Sequence, residues 1–396
     1  MNSFSVFVFF VVQETWHCPS NETRYGLVKR THTYLTQITL VLLVMVALFV
    51  AIAVYVRSVV FRLAPGGDSW EHYQSGGLFV SASPSATSVR GAIYFASPCT
   101  GKGDIYQTSQ ETRDATRVTS SLAFEASPLV ARDAGELFFS REIDGFRHIW
   151  SQDLTTGEQN QQTFGRYQDD PLQVSSDARY LLFSRGMTYE FSSGTIGSTT
   201  LLDRKSNHIW EIGVAAAMSP ASPLVAYTKG DGPDNHAVWI LDLKGQASEP
   251  SKLEARGIPL QFSPDGRYLL TSRLKATAAP YGEREIWLYD LETAKDKYLL
   301  DGYTTLIFGK SNYKVIALQG EQQTLVLYDL QSMLQAPLFA VQGLRTVPRT
   351  TNDGQGVLLI EWSNSRMLAG KIWGMTSEDQ GLRVISSIDC GKSINP

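Results

Sequence analysis

The stretch Phe262-Ser263-Pro264-Asp265-Gly266-Arg267-Tyr268-Leu269-Leu270, followed after a polar loop by Glu285-Ile286-Trp287-Leu288-Tyr289-Asp290-Leu291, decides the fold. Asp265-Gly266 suits the left-handed backbone of a tight strand-to-strand corner, and Pro264 removes a donor that no ladder needs there. The apolar run Leu269-Leu270-Thr271 has counterparts at Ile93-Tyr94-Phe95, Leu137-Phe138-Phe139, Leu181-Leu182-Phe183, Val225-Ala226-Tyr227, Val315-Ile316-Ala317 and Leu358-Leu359-Ile360. Their spacing is a period of about 44 residues.

Parts of the corner return at Ser175-Ser176-Asp177-Ala178, Ser219-Pro220-Ala221-Ser222 and Asn352-Asp353-Gly354. A second strand pattern follows most of the apolar runs, as in Val238 to Asp242, Glu285 to Asp290 and Thr324 to Asp329. Its aspartate falls where a side chain can accept from turn amides. Four short strands per unit make one propeller blade, which cannot bury both faces alone, so its neighbours must stack around an axis. The chain is therefore expected to be all-β, a seven-bladed β-propeller, alternatively a six-bladed ring with one degenerate unit. It fills residues 80–396.

Ahead of it, residues 35–56 read LTQITLVLLVMVALFVAIAVYV without a charge, long enough to span a bilayer as one helix. The segment runs on into Arg57-Ser58-Val59 without a small-x-small cleavage site, so it reads as an uncleaved transmembrane signal anchor. Flanking basic residues lean towards residues 1–34 inside and the propeller outside, on the periplasmic side of a cytoplasmic membrane, with residues 57–79 as linker.

Composition sets further bounds. The 396 residues carry 35 Lys+Arg against 39 Asp+Glu, a net charge of −4, with 43% hydrophobic residues and a mean hydropathy of −0.13. That balance excludes a disordered chain and a polytopic membrane protein. The acidic balance offers no basic face for nucleic acid. Three cysteines, Cys18, Cys99 and Cys390, are too few for a disulfide scaffold and show no zinc spacing.

The motif from Phe262 to Leu270 and the strand from Glu285 to Leu291 resemble the repeat of TolB-type propellers. That resemblance implies a propeller fold and interaction with proteins of the cell envelope, hence a non-enzymatic binding scaffold whose partner is an envelope or membrane protein. Ser263, Pro264, Asp265 and Gly266 are the repeat turn.

No Gly-x-Ser-x-Gly elbow is present, no histidine pair has ligand spacing, and neither a catalytic residue, a metal nor a cofactor is expected. Trp150, Trp239 and Trp287 recur at similar places and read as blade packing. The irregular loop 186–194 holds aromatics that a core does not need, which makes Tyr189 and Phe191 candidate binding residues. Cys99 and Cys390 lie in the first and last units, where a disulfide would fasten the ring. The alternatives are a small-ligand sensor, or a propeller enzyme, hydrolase or lyase, with carboxylates such as Asp104, Asp153 and Asp231 in the central channel.

Overall fold

The computed structural model describes residues 86–389 apart from 90, 100–102, 110–114, 188–195, 214, 230–236, 245–248, 276–283, 303–304, 321–323, 341–347, 352, 364–368 and 380. The anchor expected at 35–56, the loop residues Tyr189 and Phe191, Asp231 and Cys390 lie outside the described residues. Among the described residues no helix is long and apolar enough to cross a membrane.

These residues form 28 strands and no helix. In chain order the strands are β1 (Ala86–Val89), β2 (Ala92–Ser97), β3 (Asp104–Ser109) and β4 (Thr116–Arg117); then β5 (Glu125–Ala131), β6 (Glu136–Ile143), β7 (Phe146–Asp153) and β8 (Gln159–Gln161); β9 (Gln168–Val174), β10 (Tyr180–Met187), β11 (Ile196–Asp203) and β12 (His208–Gly213); β13 (Ala216–Met218), β14 (Leu224–Lys229), β15 (Ala237–Asp242) and β16 (Ser251–Arg256); β17 (Ile258–Phe262), β18 (Tyr268–Leu274), β19 (Arg284–Asp290) and β20 (Lys295–Gly302); β21 (Thr305–Phe308), β22 (Lys314–Gln319), β23 (Thr324–Asp329) and β24 (Gln335–Ala340); and β25 (Arg349–Thr350), β26 (Gly356–Trp362), β27 (Ala369–Thr376) and β28 (Arg383–Asp389).

Five sheets have four antiparallel strands in chain order. The strands from β5 to β12 form one eight-stranded sheet, joined by a parallel bridge between Arg147 of β7 and Gln168 of β9. β1, β5, β9, β13, β17, β21 and β25 each neighbour the next, and β25 neighbours β1 again. They form the inner wall of a closed ring, the architecture of a β-propeller.

The apolar runs read from the sequence all fall on the second strand outward from the axis, where Leu137, Leu181, Val225, Leu269 and Val315 have no exposed surface. Their side chains alternate between the two sheet faces, so each face supplies part of a core shared with a neighbour. Leu270, Ile286 and Leu288 thus pack with Ile307, Val315 and Val326 of the following sheet, while Leu269 and Tyr289 pack with Ala226 and Val238 of the preceding one.

The corners repeat one hydrogen-bond pattern. Ser263 Oγ accepts the Tyr268 N–H at 2.8 Å and donates to Asp265 Oδ1 at 2.6 Å, while that carboxylate accepts the Arg267 N–H at 3.1 Å. Ser175 and Asp177 do the same with Tyr180 and Arg179. Thr351 and Asp353 do so with Gly356 and Gln355. At the far end of the third strand, Asp153, Asp290 and Asp329 each accept two turn amides. The amides of Thr156 and Thr155 hold Asp153 below the usual carboxylate range, and that of Ser332 does so for Asp329.

Most turn positions in left-handed backbone carry glycine, including Gly266 at φ 76°. Ala294 occupies the same region at φ 54° on an exposed turn between β19 and β20. Its Cβ makes that conformation unfavourable. Ala294→Gly is expected to stabilise the fold by up to about 1 kcal/mol, read as a higher urea midpoint at unchanged slope. Gly266→Ala should do the reverse, because a Cβ there would lie 2.8 Å from Ser219 Oγ.

Candidate functional site

Each inner strand leads into a corner at one end of the ring; the opposite end, where the inner strands begin, is here named the open end. There the second strand ends in a serine-arginine pair at a constant offset from the apolar run: Ser140-Arg141, Ser184-Arg185 and Ser272-Arg273. The offset is present in the sequence, but an isolated arginine on a strand reads there as a solvated end. The structure turns two of the three onto inner-strand carboxylates.

Arg141 of β6 pairs across the ladder with Glu125 of β5. Its Nε donates to Glu125 Oε1 at 2.6 Å, its Nη2 donates to Gln159 Oε1 at 2.6 Å, and its guanidinium lies 4.5 Å from the Trp150 ring centroid. Glu125 is fully buried and also accepts the Ser121 hydroxyl, while its Oε2 is sealed without a partner among the described residues. Arg185 of β10 repeats this with Asp169 of β9, a bidentate pair at 2.9 and 2.8 Å, with its guanidinium 4.3 Å from the Tyr167 ring. Asp169 is fully buried as well. Arg273 instead reaches Asp296 and lies over Trp287.

A third pair joins them. Arg147 Nη1 lies 3.2 Å from Asp170 Oδ2, and Arg147 Nε donates to Gln168 Oε1 at 2.9 Å. The Arg147 and Asp170 side chains stay 19% and 12% open, against none for Glu125 and Asp169. β5 and β9 are neighbouring inner strands, so Glu125, Asp169 and Asp170 with their three arginines share one sector of the open end. His148, facing Arg141 across β6 and β7, is buried there with Nδ1 unbonded among the described residues.

Asp104 and Asp153, two of the carboxylates singled out in the sequence, do not converge. Asp104, nearly sealed on β3, pairs with Arg117 at 2.8 Å. Burial pushes its carboxyl up, Arg117 opposes, and the charge of nearby Glu125 adds to the rise. Asp153 is committed to its turn at the other end. Among the described residues, no group of three or more His, Cys, Asp or Glu side chains could hold a metal.

Trp239 packs against the cluster of Leu182, Leu201, Met218 and Val225, whereas Trp150 and Trp287 lie under arginines. Trp287 Nε1 also donates to Glu285 Oε2 at 3.1 Å. The ladder between β10 and β11 is described as far as Met187 and Ile196, so the segment bearing Tyr189 and Phe191 is not placed. Cys99, between β2 and β3, is disulfide-bonded, and both other cysteines lie outside the described residues.

No family model and no curated protein matches the chain. Solved structures do. The β-propeller domain of the trilobed protease from Pyrococcus furiosus, described as having an open velcro topology, matches at 11% identity and a TM-score of 0.54, over 79% of this chain and 98% of that one. An oligogalacturonate lyase in complex with manganese matches at 14% identity and 0.52, over 68% and 82%. TolB from Acinetobacter baumannii matches at 16% identity and 0.46, over 74% of this chain and 65% of TolB, a likeness too slight to support an argument.

What these likenesses show is the β-propeller fold. They also overturn the expectation of a non-enzymatic binding scaffold, because the propellers that match are mostly enzymes or parts of enzymes, lyases and peptidases among them.

Sealing Glu125 against Arg141 makes each indispensable to the other. Arg141→Met is expected to cost about 3–5 kcal/mol, as removal of one partner from a buried pair does. The double variant Glu125→Leu/Arg141→Met should recover most of that loss in urea unfolding; a double variant no more stable than Arg141→Met would refute the pairing as the cause.

Proposed function

We propose that this chain is a propeller enzyme, a hydrolase or a lyase, and that Asp170 is its acid–base carboxylate. The observation that carries this reading is the contrast within one sector: Glu125 and Asp169 are sealed and serve to fix Arg141 and Arg185, while Asp170 stays partly open beside Arg147. A carboxylate on the rigid inner wall can take a proton from a bound substrate. Guanidinium groups already held in place can stabilise the negative charge that this leaves behind, without reorganising during the reaction. Both hydrolysis and elimination use that division of labour. A serine-peptidase route would need a Gly-x-Ser-x-Gly elbow, which the 396 residues lack.

We further read the ring as seven-bladed and of the TolB type, with the eight-stranded sheet counted as two blades that share one bridge. The reading extends to a single-pass anchor at residues 35–56 and an extracytoplasmic propeller. The uncharged run and the oxidised state of Cys99 both support it.

Cys390 is the partner we assign to Cys99. β28 ends at Asp389 opposite Ala369, at the open end, where β2 and β3 also lead to Cys99. The hydroxyls of Thr108 on β3 and Ser386 on β28 lie 3.3 Å apart, which places those strands side by side.

Two measurements test these readings. The full-length protein should turn over at least one member of a panel of oligouronates, chromogenic esters and glycosides, and Asp170→Asn should lower kcat on it by about 100-fold or more with Tm unchanged. A panel left wholly untouched by the wild type would count against an enzyme of either class. Peptide mapping without reductant should recover the Cys99 and Cys390 peptides linked; Cys99 linked to Cys18 would refute the clasp.

A further inference from the structure

The corner end of the ring carries a different chemistry. Gln173, Gln261 and Arg349 hold one register position on three inner strands, each two residues before its corner hydroxyl, Ser175, Ser263 or Thr351, and paired with Leu182, Leu270 and Leu358. The two glutamines use it to tie neighbouring inner strands together. Gln173 Oε1 accepts the Met218 N–H at 2.5 Å, and Gln261 Oε1 accepts the Ile307 N–H at 3.0 Å. Gln261 Nε2 also donates to Thr350 Oγ1 at 3.3 Å, reaching past β21 to the residue beside Arg349.

Arginine cannot play the glutamine's part, since its guanidinium has five donors and no acceptor. Nε and Nη2 of Arg349 are shut off from solvent and bond to nothing among the described residues. The residue as a whole keeps some open surface, but burial lowers its pKa to about 10, and among the described residues no carboxylate offsets it. The second-strand arginines differ on this point: Arg141 and Arg185 each face a buried carboxylate of the inner wall. Unpaired buried donors on a cation are costly, and they persist where something else supplies the acceptor.

We propose that Arg349 anchors an anion site on the axis at the corner end of the ring, taking the oxyanion of a carboxylate- or phosphate-bearing small molecule. Thr350 and Gln261 stand beside it and can supply further polar contacts. The planar guanidinium suits two oxygens of one such group. This site is separate from the Asp170 sector, which lies where the inner strands begin, so neither reading depends on the other.

Thermal unfolding of the full-length protein in sodium acetate, and separately in sodium phosphate, tests it, with sodium chloride at matched ionic strength as the control. Ligand bound only by the folded state raises Tm in a saturable way. One of the two probes should raise the wild-type Tm by several degrees beyond chloride, and which one does so tells carboxylate from phosphate. Arg349→Gln, which installs the residue found at the same position in two other sheets, should abolish that rise and should itself melt higher than wild type without anion. Asp170→Asn should keep the rise whether or not it has lost activity. A wild-type Tm indifferent to both anions, or an Arg349→Gln protein that responds as the wild type does, would overturn the proposal.

Discussion

A four-stranded sheet with two apolar faces can be buried only between two neighbours, and the rest of this structure follows from that requirement. Placed in a row, the end sheets would each leave one face in water. Closing the row into a ring removes both exposed faces, so the first and last sheets must meet. Among the described residues they meet without exchanging a strand: β1 to β4 come from one continuous segment and β25 to β28 from another. The seam therefore relies on side-chain packing and on single links such as the one between Thr108 and Ser386. The proposed tie between Cys99 and Cys390 would answer a weakness that a shared strand removes, because cross-linking sequence-distant segments restricts the unfolded chain most.

Ring closure also sorts polar groups by position. Middle residues of the inner and second strands are committed to the shared cores, which leaves the two axial ends to carry charge. At the open end the constant offset from apolar run to arginine places guanidinium groups at the rim, and the inner-strand starts supply carboxylates on β5 and β9. At the corner end β9 and β17 offer the amide side chains of Gln173 and Gln261, which tie sheet to sheet. The rigid wall holds both sets of groups, which is what a site needs if it is to act without reorganising.

The fold was legible because it rests on local signals repeated many times. The run beginning at Leu269, the Ser263-Asp265 corner and the aspartate at 290 each report a backbone conformation that neighbouring residues determine. The sector around Asp170 was not legible for the opposite reason. Glu125 and Arg141 are 16 residues apart, as are Asp169 and Arg185, and only the strand register turns those spacings into contact. Asp104 and Asp153 looked equivalent as acidic residues near strand ends, yet one is sealed beside Glu125 and the other caps a turn. Trp150 and Trp287 recur with the regularity of packing residues, and the arginines lying over them share that period. Periodicity alone could not separate a core aromatic from one that supports a cation.

Exceptions to the repeat are more informative than the repeat itself. Where Ser263-Pro264-Asp265-Gly266 is matched by Ser175 to Ala178, the same hydrogen bonds form and nothing new is gained. Where the chain departs from a rule that works elsewhere, some other demand must offset the loss. Gln173 and Gln261 show that the position held by Arg349 can be filled by a side chain that serves a backbone N–H of the neighbouring inner strand, those of Met218 and Ile307. An arginine there forfeits that bond and buries donors besides. Because folding alone would favour the glutamine, the reason for the arginine lies outside the folded chain, in a ligand that brings its own negative charge to the axis.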